Sequence, residues 1–158
     1  SLLSDLIVQL GKHPDEWEKL KADPSRAAKV VEEGLRWASP NQGLFRIVRA
    51  DTEVAGTPIP KGSTIWVMYG SADHDDRVFD DPEAFDPDRE RLNSHIAFGH
   101  GIHFCLGAAL ARLEAVVALK VLAERIASIG VVEPDTLRYG PSFILRGLEG
   151  VQVDLTYR

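Results

Sequence analysis

The chain has 158 residues, 44% of them hydrophobic and 27% charged, and carries a net charge of −6 at pH 7. That length suits one domain with its own core, and a single cysteine excludes an internal disulfide scaffold. An acidic chain is a poor match for a phosphate backbone, no apolar run reaches the ~20 residues that span a bilayer, and no signal-peptide pattern is visible. We therefore expect a soluble, cytoplasmic protein with no nucleic-acid or membrane partner.

Residues 1–38 read as helices. Leu3, Leu6, Ile7 and Leu10 recur at helical spacing from the first residues, without a cap, and Gly11 closes the stripe. An uncapped helix at Ser1 leads us to expect a piece of something longer, with this apolar face short of partners. His13-Pro14 opens a second helix with Trp17 and Leu20 inward, stopped by Asp23-Pro24. Pro24 starts a third, which carries Ala27, Val30, Val31, Gly34 and Leu35 on one side and closes before Pro40.

The helical period is lost in residues 44–68. Phe45 and Ile47 flank Arg46, Thr64-Ile65-Trp66-Val67 is β-prone, and Pro58, Pro60 and Gly62 punctuate the stretch as turns. These features predict a small antiparallel sheet. An acidic segment follows over 73–95; residues 73–91 hold nine acids and three arginines, a net charge of −6 equal to that of the whole chain. A glycine-rich loop over 96–107 precedes a long helix over 108–127, whose apolar stripe is read as Leu106, Leu110, Leu113, Val117 and Val121. The tail, 130–158, reads as β-hairpins: Phe143-Ile144-Leu145 pairing with Val151 to Leu155 around Gly147 to Gly150.

Cys105 is the first residue that could carry chemistry. It lies at the mouth of the long helix, where free backbone N–H groups and the helix dipole favour an anion, and the thiolate is the form that binds metal or attacks an electrophile. Gly99, Gly101 and Gly107 bracket it and permit unusual backbone angles and close approach. The bland alternative is an inert buried thiol. His95, His100, His103 and Cys105 fall within eleven residues; they admit a zinc site or a cysteine nucleophile with a histidine base, although the spacing matches no closed zinc pattern. Glu33 and Arg36, three apart on a helix, share a face and by themselves make an ordinary surface pair.

Taken together, Glu33-Gly34-Leu35-Arg36, Phe85-Asp86-Pro87-Asp88-Arg89 and Phe98-Gly99-His100-Gly101-Ile102-His103-Phe104-Cys105-Leu106-Gly107 resemble the C-terminal part of a bacterial cytochrome P-450. The last segment meets every fixed position of the family pattern F-G-x-G-x-H/R-x-C-x-G, and Arg36 precedes Cys105 by 69 residues, as in that family. The resemblance spans nearly the whole chain, including the His13-Pro14 turn and Leu110-Ala111-Arg112.

That resemblance implies a mainly α (α+β) fold binding haem b. Cys105 corresponds to the axial ligand of the haem iron, Phe98 to a residue packed beneath the macrocycle, and His103 and Arg46 to partners of the haem carboxylates; Gly107 closes the ligand loop. Glu33, Arg36 and Arg89 match a structural ion triad. Gln42, Gly43, Leu44 and Phe45, with Phe143, Ile144 and Leu145, match substrate-facing positions. The implied reaction is hydroxylation of an apolar organic substrate with O₂ and two electrons from a ferredoxin-type or other redox partner. The family's oxygen-activating acid and threonine have no counterpart here. Either an N-terminal part of the same protein or a second copy is expected to cover the open face. Two other classes remain: a non-catalytic haem-binding or interaction module, and a Cys/His metal-dependent hydrolase.

Overall fold

Local signals at the joints between segments set the helical third of the molecule. In the computed structural model, which describes residues 2–158, α1 spans Leu2–Lys12, α2 Pro14–Ala22 and α3 Ala27–Ala38. Pro14 takes the first turn of α2, where its missing N–H is no loss. Asp23 accepts the Ser25 N–H at 3.0 Å and so caps the short turn Pro24–Arg26 that leads into α3. Ser39, at φ 35°, ends α3 in the left-handed region, its N–H donating to the Leu35 carbonyl at 2.9 Å.

The expected shortage of partners for α1 is not what the structure shows. Leu6 and Leu10 are fully buried in a core that includes Trp17, Leu20, Val30, Val31, Leu35 and Leu119. The reason is the close approach of α3: a Cβ on Gly34 would stand 2.3 Å from Leu6 Cδ2, so only glycine lets the two helices meet there. Of the predicted face, Leu3 alone stays exposed.

The sheet over residues 44–68 resolves into two separate antiparallel ladders. Strand β1, Leu44–Ile47, pairs with β4, Thr64–Val67, in the register Phe45 to Trp66. Between them β2, Thr52–Val54, and β3, Thr57–Ile59, form a tight hairpin. Its turn residues Ala55 and Gly56 both have positive φ, 48° and 79°, as the right-handed twist of a two-residue hairpin requires. A short helix α4, Tyr69–Ala72, leads into the acidic segment, which has no regular structure until the single turn Leu92–Ser94.

Helix α5, Ala108–Arg125, differs from expectation in which side it buries. Ala108, Ala115, Leu119 and Ala123 face the core, whereas Leu106, Leu110, Leu113, Val117 and Val121 are exposed. Apolar residues occur on every side of the helix, between the charged Arg112, Glu114, Lys120, Glu124 and Arg125, so periodicity selects no face, and the small alanine side is the one that lets α3 come close.

The tail also departs from the expected hairpin. Strand β6, Val153–Tyr157, pairs with β5, Ile126–Val131, which follows α5 without a loop. Phe143–Leu145 form no ladder with it; instead Leu145 bridges to Asn41. The Trp17 indole donates to the Ala127 carbonyl at 3.1 Å, tying α2 to β5. Among the described residues no helix is long and apolar enough to cross a membrane.

Candidate functional site

The 96–107 loop is built by glycine. Gly99 and Gly101 have φ of 75° and 70°, where a side chain would be strained, and they allow the chain to double back on itself. The Cys105 N–H then donates to the Phe98 carbonyl at 3.0 Å, and the Ala108 N–H donates to the Cys105 carbonyl at 3.2 Å as α5 begins. Cys105 is left as a free, exposed thiol.

That thiol lines a cavity of about 470 Å³ with Leu35, Leu44, Tyr69, Ala97, Phe98 and His103 among its walls. The lining is largely apolar, with few polar groups converging on it. Phe104 meets Phe98 edge-on, ring centroids 6.3 Å apart. Arg46 lies outside the lining; its guanidinium donates to the Tyr69 hydroxyl at 3.4 Å and to the Phe45 carbonyl at 2.9 Å. Gly107 sits at the start of α5, with Cys105 Sγ 3.9 Å from where its Cβ would be.

The two segments read as substrate-facing come together. The Gln42 N–H donates to the Ile144 carbonyl at 2.7 Å, and Phe45, Trp66 and Phe143 form an aromatic cluster with centroids 5.8–6.3 Å apart. Leu44 reaches the cavity wall, whereas Gln42 turns back to donate to the Ser39 carbonyl at 2.6 Å. Gly43 is packed tightly, since a Cβ there would fall 2.4 Å from Trp66 Nε1.

A buried polar network stands apart from this apolar wall. Arg36 donates through Nε and one terminal nitrogen to both oxygens of Glu33, each at 2.8 Å, and both side chains are fully buried. Its remaining donors reach the carbonyls of Asp73, Pro82 and Ala84. Glu33 Oε1 also accepts the Asp86 N–H at 2.9 Å and Arg89 Nε at 3.3 Å. Arg89 in turn holds the carbonyls of Asp80, Asp81 and Ala84. The acidic segment is thus wrapped around two guanidinium groups, which satisfy carbonyls that no strand or helix pairs.

Sequence reasoning missed three participants. Asp73 is buried and accepts from the Ser39 hydroxyl at 2.6 Å and the Ile96 N–H at 2.7 Å; burial pushes its carboxyl above the usual range despite those bonds. Glu32 accepts from Arg112 at 2.6 and 3.0 Å and from His95 at 2.9 Å. Burial opposes its charge, but the bonds from His95 and Arg112 together outweigh it and bring its pKa down to about 2. Tyr69 in the cavity wall carries no pattern that marks it. His95, weighed above as a metal ligand, is occupied by Glu32, and among the described residues no group of three or more His, Cys, Asp or Glu could hold a metal ion.

A family model described as cytochrome P-450 matches residues 25–125. Cytochrome P-450 107B1 of Saccharopolyspora erythraea is 42% identical over 97% of this chain and 38% of its own length. A steroid C26-monooxygenase of Mycobacterium tuberculosis is 40% identical, over 98% of this chain and 41% of that protein. The solved structure of cytochrome P-450 CYP109Q5 from Chondromyces apiculatus superposes with a TM-score of 0.93 at 39% identity, over 100% of this chain and 40% of that one. P-450BioI, in complex with an acyl carrier protein ligated to hexadec-9Z-enoic acid, gives 0.92 at 37% identity, over 98% of this chain and 40% of its own. The chain therefore spans about two fifths of the length of the relatives it matches.

Proposed function

Because this chain belongs to the cytochrome P-450 family, we propose that it is the haem-ligating part of a monooxygenase, with Cys105 as the residue that would ligate the iron. The observation that carries this reading is the exposed thiol on a glycine-hinged loop, set in the wall of an apolar cavity. Haem b is the cofactor of the family. The donor set fits it: one free thiol, an aromatic ring and a histidine share the lining, and Arg46 lies one hydrogen bond from that wall through Tyr69. When bound, the group supplies thiolate-ligated iron for the activation of O₂ with two electrons.

The chain's own residues do the holding. Cys105 presents sulfur, and its loop is kept open by Gly99 and Gly101. Phe98 would pack against the macrocycle, and Gly107 leaves room beside the sulfur. His103 and Arg46 would donate to the haem carboxylates, for which a guanidinium offers several N–H groups. Glu33, Arg36 and Arg89 fasten the acidic segment to α3. The aromatic cluster of Phe45, Trp66 and Phe143, with Leu44 and Leu145, suits an apolar organic substrate, in line with relatives named for a steroid and a long-chain acyl group. A ferredoxin-type or other redox partner delivers the electrons, and the protein works in the cytoplasm.

The uncovered stripe Leu106, Leu110, Leu113, Val117 and Val121 is the face on which the remaining part of the same protein packs. The 158 residues alone are then not a competent monooxygenase, since a dry, closed pocket is needed to keep water away from the reacting groups. Reduced-plus-CO spectroscopy tests the assignment of Cys105. The protein with its covering part gives the long-wavelength Soret band of thiolate ligation, Cys105→Ala loses it, and Cys105→His retains haem with an altered spectrum. An alanine variant with the wild-type band overturns the reading. Coupled hydroxylation by a verified monomer of the 158-residue chain overturns the need for a covering part.

A further inference from the structure

Glu32 sits at a junction that neither the ion network of Glu33 nor the cavity wall requires. Its Oε1 accepts Arg112 Nε at 2.6 Å; its Oε2 accepts a second Arg112 nitrogen at 3.0 Å and His95 Nε2 at 2.9 Å. Three segments far apart in the chain, α3, the approach to the cysteine loop and α5, therefore meet on one carboxylate.

Both branches run on to the loop. The Ala97 N–H donates to His95 Nδ1 at 3.3 Å, which puts the ring hydrogen on Nε2 and aims it at Glu32. The His95 side chain is 2% exposed, so the imidazole is shielded from solvent, and the neighbouring Ile96 N–H is pinned separately by Asp73. On the other branch, the Arg112 guanidinium lies over the Phe98 ring, its Cζ 4.7 Å from the centroid. Phe98 lines the cavity, and its carbonyl accepts the Cys105 N–H.

We infer that Glu32 is a positioning residue for Cys105, acting through Arg112 on the Phe98 ring and through His95 on the Ala97 amide. The carboxylate fixes the planar fork of Arg112, the fork fixes the ring, and the ring's own backbone fixes the sulfur-bearing residue. A lysine at 112 would keep the charge yet lose both the bidentate bond and the flat stack on Phe98. This role rests on the reading of Cys105 as the haem ligand, but its geometry stands on this chain alone.

The test uses the protein with its covering part, with and without added haem, as wild type, Glu32→Gln, Arg112→Met and Arg112→Lys. Amide hydrogen exchange is followed at Ala97 and Cys105, with Asp86 as the internal reference because its N–H is held by Glu33 instead. Glu32→Gln and Arg112→Met speed exchange at Ala97 and Cys105 tenfold or more and leave Asp86 unchanged, as loss of charge-assisted bonds dictates. Once haem is bound, the same variants move part of the ferrous–CO band from the thiolate to the thiol position, and Arg112→Lys falls between them and wild type. Equal loss of protection at Asp86, or exchange within twofold of wild type with the band intact, overturns the inference. Should Glu32→Gln fail to fold, Arg112→Met decides the matter, because that side chain is a third exposed and leaves the core untouched. A wild-type protein that binds haem without the thiolate band overturns the reading of Cys105, while the exchange data still judge the relay.

Discussion

Glu33 and Arg36 are wholly buried charges, while Leu106 and Leu113 are apolar side chains standing in solvent. Beneath the acidic segment, every donor of Arg36 finds an oxygen, so the charges are retained inside at tolerable cost. Along α5 the opposite holds: the outer stripe has no complement within the described residues, although its residue types are those of a core. Burial in this molecule follows the availability of partners more closely than it follows hydrophobicity.

Breaking the closed region gives the largest expected effect. Glu33→Ala or Arg36→Ala leaves a buried charge without its partner and costs about 3–5 kcal/mol, read from the midpoint of denaturant unfolding. If both variants unfold at the wild-type midpoint, the pair is no different from an exposed one. On α5, the buried Leu119→Ala is expected to cost about 2–5 kcal/mol. The exposed Val117→Lys, two residues away, should stay within about 0.5 kcal/mol and reduce self-association measured by sedimentation. Equal destabilisation by the two would mean that the outer face is packed after all.

A finer test uses acid. Glu32 titrates at about 2 when folded against an ordinary value of 4.5, so the unfolded chain binds its proton first as the pH falls. Its contribution is present in full above pH 4.5 and is lost as the pH drops through about 2. The difference in stability between wild type and Glu32→Gln should therefore shrink across that interval. A difference independent of pH would show that the carboxylate's charge is not what holds His95 and Arg112.

Much of the fold was legible because its signals are local. Pro14, the Asp23 cap and the glycines at 99 and 101 each act within a few residues, and they place the first helices and the loop correctly. The relation of Glu33, Arg36 and Arg89 was legible only through family resemblance, since 53 residues separate Arg36 from Arg89 and no period connects them. The junction at Glu32 was not legible at all: His95 invited a metal reading, and Arg112 entered only within the Leu110-Ala111-Arg112 stretch of the family resemblance, with no partner assigned.

What the sequence by itself determined is therefore the first three helices, the long helix α5, the position of the cysteine loop and the family to which that loop points. Caps, turns and glycine conformations act over short range and can be read in order along the chain. The tertiary structure decided which side of α5 is buried, that β6 pairs with β5 and not with Phe143–Leu145, and which carboxylate gathers His95 and Arg112. Each of those is a choice among partners distant in sequence. A helix with apolar residues on every side, or a short strand with two possible neighbours, carries no local signal to make that choice; it is made by whichever surface leaves the fewest unpaired groups when the chain closes up.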